Sequence, residues 1–180
     1  MFSALKRLLN PSPSSRRTIK TIYGMIVAQA REVEFYQALN VPDTVNARFD
    51  MVVLHLWLVL RRLRTLDADG ALAQGLFDHF CGDMDDNLRE MGVGDLTVPK
   101  RMQKFGEAFY GRTAAYDTAL SEGVPALQQV LARNVLNSFE PAQAQGLAAY
   151  VEAAVASMDS IAKPDLESGN WRFPQPRVAS

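Results

Sequence analysis

Three side chains of this sequence are easy partners for a metal ion or a proton: His55, His79 and the single cysteine, Cys81. His79 and Asp83 share a helical face at i,i+4, but Cys81 lies two residues from His79 and points elsewhere. No spacing among them matches a structural zinc pattern, so no metal is expected. The acidic run Asp83, Asp85, Asp86 and Glu90 places three carboxylates, at i, i+3 and i+7, on one face. A di-iron bundle would need Glu-x-x-His pairs beside them, and none is present. A solvated acidic face is the better reading. Gly92-Val93-Gly94-Asp95 lacks the preceding strand, the third glycine and the Gly-Lys-Ser/Thr ending that a phosphate cradle requires. Two glycines after a helix instead supply positive backbone dihedrals for a sharp link. No cofactor and no catalytic constellation follow from these residues, and the chain is read as a non-enzyme.

The elements that must position these residues are helices. Residues 18–38 put Ile19, Ile22, Tyr23, Ile26, Val27, Ala30 and Val33 on one stripe. Pro42 ends that helix, and Asp43 or Thr44 caps the next. The second helix runs to Leu66 with Val45, Phe49, Val53, Leu56, Trp57, Leu60 and Leu63 on one side. A third spans Gly70 to Met91, capped by Asp69, with Leu76, Phe77, Phe80, Met84, Leu88 and Met91 along it. Thr97 or Val98 opens a fourth, with Pro99 in its first turn, and it closes near Gly123. Pro125 and Pro141 begin two more. The expected architecture is an all-α, single-domain bundle of about six helices. A basic leader covers 1–17, the helical domain 18–162, and an irregular tail 163–180, which Trp171 and Phe173 could pin to the body.

Within the second helix, Met51–Leu60 is apolar at every position except His55. A helix apolar all round is either central in its bundle or offers part of itself to a partner. Exposure of Leu54 and Leu58 decides between the two. No window reaches the length of about eighteen continuous apolar residues that a membrane span needs.

Nineteen basic and twenty acidic side chains nearly cancel, but their distribution is uneven. Residues 1–31 hold six cations and no acid; residues 67–95 hold eight acids against Arg89 alone. Lys100, Arg101, Lys104 and Arg112 then reverse the sign again. Such blocks set docking polarity even at a net charge of −1. The isoelectric point near 6.1 argues against a dedicated nucleic-acid binder, and no DNA partner is expected. At the amino end, Phe2, Leu5, Leu8 and Leu9 with Lys6 and Arg7 form a short amphipathic cationic segment suited to peripheral membrane contact. A frayed terminus is the equal alternative.

The segment Leu88-Arg89-Glu90-Met91-Gly92-Val93-Gly94-Asp95, with Val98-Pro99-Lys100, Phe109-Tyr110-Gly111-Arg112 and Ala115-Tyr116, resembles the ubiquinol-cytochrome c chaperone family. Tyr23, Phe35-Tyr36 and the stretch from Arg48-Phe49-Asp50 to Arg62-Leu63 are similar to it as well. The resemblance implies an ATP-independent assembly chaperone whose client is newly made cytochrome b. It also implies a ribosome contact near the exit site and a small partner protein, as in mitochondrial relatives. A cytosolic site of action is favoured, at the inner face of the membrane, or the mitochondrial matrix in a eukaryote. Client contact is expected at Leu54, Leu58, Val93, Phe105 and Phe109, and electrostatic contact at Lys100, Lys104 and Arg112. Two competing readings are a helical metal- or ligand-binding enzyme using His79 and Asp83, and a general ribosome-associated scaffold.

Overall fold

Apolar residues at helical spacing dictate the architecture, which a computed structural model describes for residues 13–66 and 70–177. Helices α1 (Pro13–Ala30), α2 (Val33–Ala38), α3 (Val45–Leu66), α4 (Ala71–Glu90) and α5 (Val98–Glu122) come first. They are followed by α6 (Val124–Leu131), a π-helical turn (Ala132–Leu136), a 3-10 turn (Pro141–Ala144), α7 (Gln145–Ser160) and α8 (Lys163–Ser168). There is no strand among the described residues. The all-α bundle expected from periodicity is the fold observed.

Helix α3 is the axis of the bundle. Residues 53–59 are buried without a break, so every side of the helix is covered. Neighbours α1, α4, α5, α7 and the π-helical turn all pack against it. The all-round apolar run is therefore core, and Leu54 and Leu58 are fully buried. Thr44 caps the helix: its hydroxyl accepts from the Ala47 amide at 3.2 Å, while Asp43 is drawn off to Arg48. Helix α1 lies beside α4 and runs in the same direction. Ile19 meets Gly75, and four residues on Tyr23 meets Phe80 and His79.

The expected helix over 18–38 is two helices. The chain turns at Arg31–Glu32, and α2 then closes through Asn40 in the left-handed region, whose side-chain amide donates to the Gln143 carbonyl. This turn leaves Val33 half exposed and swings Phe35 into the core, where its ring packs edge-on against His55 and Tyr150. Val45, expected on the buried stripe of α3, sits in the first turn of the helix and is exposed. Two boundaries shift as well. Helix α1 begins at Pro13, inside the stretch expected as a leader, because proline at a first turn costs no hydrogen bond. The tail contains α8 before it becomes extended, and Gly169 in the left-handed region caps α8. The expected cap Asp69 and the leader residues Phe2, Leu5, Lys6, Arg7, Leu8 and Leu9 lie outside the described residues.

The extended strap after Gly169 is pinned through Trp171 and Phe173, both buried. It ends against a directed chain of buried polar groups. The Met51 carbonyl can only accept, so His55 Nδ1, 2.7 Å away, carries the ring proton. His55 Nε2 is then the acceptor for the Tyr150 hydroxyl at 2.8 Å. That hydroxyl oxygen accepts in turn from the Gln29 side-chain amide at 3.2 Å, which also donates to the Pro174 carbonyl at 3.1 Å. Helices α1, α3 and α7 and the strap are thus joined by one set of bonds in which each member is satisfied. Burial pushes the His55 imidazole down to about 4, so it is neutral at pH 7.

Candidate functional site

The end of the bundle bearing exposed apolar residues is the α4–α5 hairpin, and its shape follows from two glycines. At the end of α4 the Val93 amide donates back to the Leu88 carbonyl and the Gly92 amide to the Arg89 carbonyl. With Gly92 at φ +80°, this is a Schellman C-cap, and Gly92 supplies the left-handed residue that it requires. Val93 and Leu88 are its two half-buried apolar members. The Thr97 and Val98 amides then donate to the Gly94 carbonyl, and Pro99 sits in the first turn of α5. Arg89 locks the turn by pairing with Asp85 at 2.6 Å and with Asp95.

The capped turn holds two large apolar side chains in solvent. Met91 is 72% exposed and Leu96 93% exposed. Neither belongs to the core, although helical spacing had set Met91 on the buried stripe; the Gly92 cap turns the chain before that stripe can continue. On the α4 side the tip carries exposed Asp86 and Glu90; on the α5 side it carries exposed Lys100, Arg101 and Lys104. Below the tip, the antiparallel helices are zipped by aromatic rings: Phe80 against Phe105 at 5.1 Å, Phe77 against Phe109 at 5.0 Å, and Phe49 of α3 against Phe105 at 5.1 Å. Tilted contacts of this kind add to area burial and tie the hairpin together.

The residues expected to touch a client therefore divide. Val93 stands at the tip but serves the C-cap; Phe105 is half-buried inside the aromatic zip. Leu54, Leu58 and Phe109 are corrections: all three are core residues, closed to any partner in the folded state. Arg112 is a fourth. It points inward and pairs with Asp50 of α3 at 2.9 Å, although Arg112 Nε, Asp50 Oδ1 and the buried Tyr116 hydroxyl lack a well-directed hydrogen bond. Burial pushes the Asp50 carboxyl up to about 6 against the opposing pull of Arg112. Lys100 and Lys104 are free of ion pairs among the described residues and remain available.

Sequence reasoning missed Met91 and Leu96 as surface residues. The signal was present in the glycine just after Met91, which marks the helix end and so the point where the buried stripe stops counting. The side chains able to do chemistry are otherwise engaged. His79 packs edge-on against Tyr23 at 4.9 Å, and Asp83 accepts from the Tyr23 hydroxyl at 2.7 Å. Burial beside Asp78 pushes the Cys81 thiol up. Among the described residues no three His, Cys, Asp or Glu side chains are grouped to hold a metal ion.

A sequence profile of ubiquinol-cytochrome c chaperones matches residues 37–173. The chain belongs to the ubiquinol-cytochrome c chaperone family. The match runs from α2 to the strap, and so covers the α3 axis, the hairpin and its tip. The crystal structure of a Cbp3 homolog from Brucella abortus superposes with a TM-score of 0.82 at 36% identity, over 97% of both chains. Ubiquinol-cytochrome c reductase complex assembly factor 1 of Xenopus laevis is 27% identical over 81% of this chain and 74% of its own length. The mouse protein of that name is 28% identical over 81% of this chain; there the similarity spans only half of the relative's length.

Proposed function

We propose that this chain is an assembly chaperone for the ubiquinol-cytochrome c reductase complex, and that it holds newly made cytochrome b at the α4–α5 tip. Family membership and the names of the relatives support the assembly role. The observation carrying the tip assignment is the pair Met91 and Leu96, held out in solvent by a hydrogen-bonded turn. A hydrogen-bonded turn loses less backbone entropy on binding than an unstructured loop would. Methionine adapts to varied apolar partners, which suits an unfolded or partly folded client. Acids on one flank and lysines on the other orient the client without fixing one sequence. The activity is binding and release, with no bond made or broken. Exposed Lys100 and Lys104 also suit contact with ribosomal RNA if the client is met at the exit site.

Replacing both tip residues, Met91→Ser with Leu96→Ser, tests the reading in cells that depend on this chaperone. Exposed side chains contribute little to folding, so stability should stay within about 0.5 kcal/mol. Spectroscopic cytochrome b and assembled reductase should fall several-fold. Wild-type cytochrome b content with this variant as the sole copy would refute the tip as the client surface.

A further inference from the structure

Three helices of the bundle begin at the same end. Phe49 of α3 packs on Phe105 of α5, and further along both helices the Trp57 indole donates to Asp117 at 2.8 Å, so the two run in parallel. Helix α7 follows the same direction. The Asn40 side-chain amide, ahead of α3, donates to the carbonyl of Gln143, ahead of α7, while Arg61 and Asp159 pair near the far ends of the two helices. The hairpin tip precedes α5 and the turn at 137–140 precedes α7, so both stand at the end where α3 starts.

Large apolar side chains are left in solvent at this end. Besides Met91 and Leu96 of the tip, Val45 is exposed in the first turn of α3, and Phe139 is 95% exposed. Phe139 is presented by a hydrogen-bonded turn, as the tip residues are. Asn137 takes the left-handed conformation after the π-helical turn, and the Ser138 amide donates back to the Ala132 carbonyl at 2.9 Å. The Glu140 amide then donates to the Ser138 hydroxyl at 3.1 Å, and Pro141 opens the 3-10 turn. Both neighbours of Phe139 are thus engaged while its ring stands in solvent. A phenylalanine so placed adds nothing to the core, but offers roughly 150–250 Å² of apolar area to a partner. The charges at this end are of both signs: exposed Asp86, Glu90 and Glu140 stand against exposed Lys100, Arg101 and Lys104. An anionic bilayer or a nucleic acid would call for an excess of cations. An apolar polypeptide is the partner this mixture fits.

We propose, taking the tip as a client surface, that Phe139 is a second anchor for the same client, which is held between the tip and the turn at 137–140. One knob lets a bound chain slide or swivel. A second knob on the same body turns its own contact into an intramolecular one once the first is made, which raises the hold without a larger groove. Helix α5 and the π-helical turn both pack on α3, so the fold sets the spacing of the two anchors.

Photo-crosslinking in cells tests this, with p-benzoylphenylalanine placed in the full chain at position 96, 139 or 124, and newly made cytochrome b detected by antibody. Val124 serves as the control because it is exposed at the opposite end, where α5 finishes. Adducts with cytochrome b are expected from 96 and 139 and not from 124. The Phe139→Ser variant should keep the wild-type melting temperature and co-purify about tenfold less cytochrome b. An adduct from 96 without one from 139 overturns the second anchor and leaves the tip reading standing; no adduct from either overturns both. Equal adducts from 124 and 139 overturn the proposal as well, since the contact would then be unselective. So does an adduct of 139 with a second copy of this chain in place of cytochrome b, which would make this end a dimer contact.

Discussion

Replacing Asp50 with asparagine should make the protein acid-labile, and the size of the effect follows from two buried groups that titrate in opposite senses. His55 accepts a proton near pH 6.5 in an unfolded chain but only near 4 in the fold, because burial opposes its charge. Between those values the unfolded state holds more protons, so the stability due to neutral His55 is complete above pH 6.5 and is lost as the pH falls toward 4. Asp50 behaves in reverse. Its carboxyl ionises near 3.8 when unfolded and near 6 in the fold, so the native state holds more protons between those values. Its contribution therefore grows as the pH falls through 6 and is lost as the pH rises through that value. Each group has a limiting slope of about 1.4 kcal/mol per pH unit. Between pH 6 and 4 the two slopes offset one another, and the wild type should change little through this pair. Asp50→Asn removes one of them. Relative to wild type, the variant should lose about 2–3 kcal/mol on going from pH 6.5 to 4. With a urea dependence of about 2 kcal/mol per molar, the gap between their midpoints should widen by about 1 M. Carboxylates elsewhere titrate equally in both proteins and cancel in the difference. Urea unfolding followed by far-UV circular dichroism at four pH values between 4 and 7.5 is sufficient. Parallel curves for the two proteins would refute the opposed titration.

Two further changes probe the interior. Tyr150→Phe removes the hydroxyl that donates to His55 and accepts from Gln29, stranding the buried His55 Nε2; it should cost about 1–3 kcal/mol in thermal or urea unfolding and speed hydrogen exchange along α7, and an unchanged stability would contradict the relay. Leu54→Ala leaves a cavity in the α3 axis and should cost about 2–5 kcal/mol; a fully stable Leu54→Ala protein that fails only in client binding would restore that residue to the client surface.

Much of the fold was legible because burial follows the 3.6-residue period. Thr44, Pro99 and Gly123 marked helix ends through local chemistry that a sequence displays directly. The run Met51–Leu60 left two outcomes open, since all-round apolarity describes both a central helix and a sticky one. Only the neighbours of α3 decide, and they come from residues as distant as Tyr150 and Phe173. The Arg112–Asp50 pair was hidden for the same reason: two charges on separate helices carry no mutual signal along the chain. Arg112 therefore read as one of a basic strip, when its i+8 and i+12 relation to Lys104 and Lys100 leaves room for it to turn inward. The break at Arg31–Glu32 was illegible because no proline or glycine marks it. There the Tyr36 hydroxyl donates to the Ala30 carbonyl at 2.7 Å, and Phe35 packs against His55 and the distant Tyr150. Of the site, the hairpin and its lysines could be read, whereas the exposure of Met91 and Leu96 needed the C-cap geometry.

The strap sets an order of events in biosynthesis. Phe173 completes the aromatic surroundings of His55, and the Pro174 carbonyl accepts from Gln29, a residue made 145 positions earlier. While the ribosome still shields that stretch, α1, α3 and α7 lack their last wall, and Trp171 has not yet reached its place. The helical body therefore closes its interior only once the strap has left the ribosome, and a product cut short before Trp171 would leave the early helices exposed to the same quality control that its clients face.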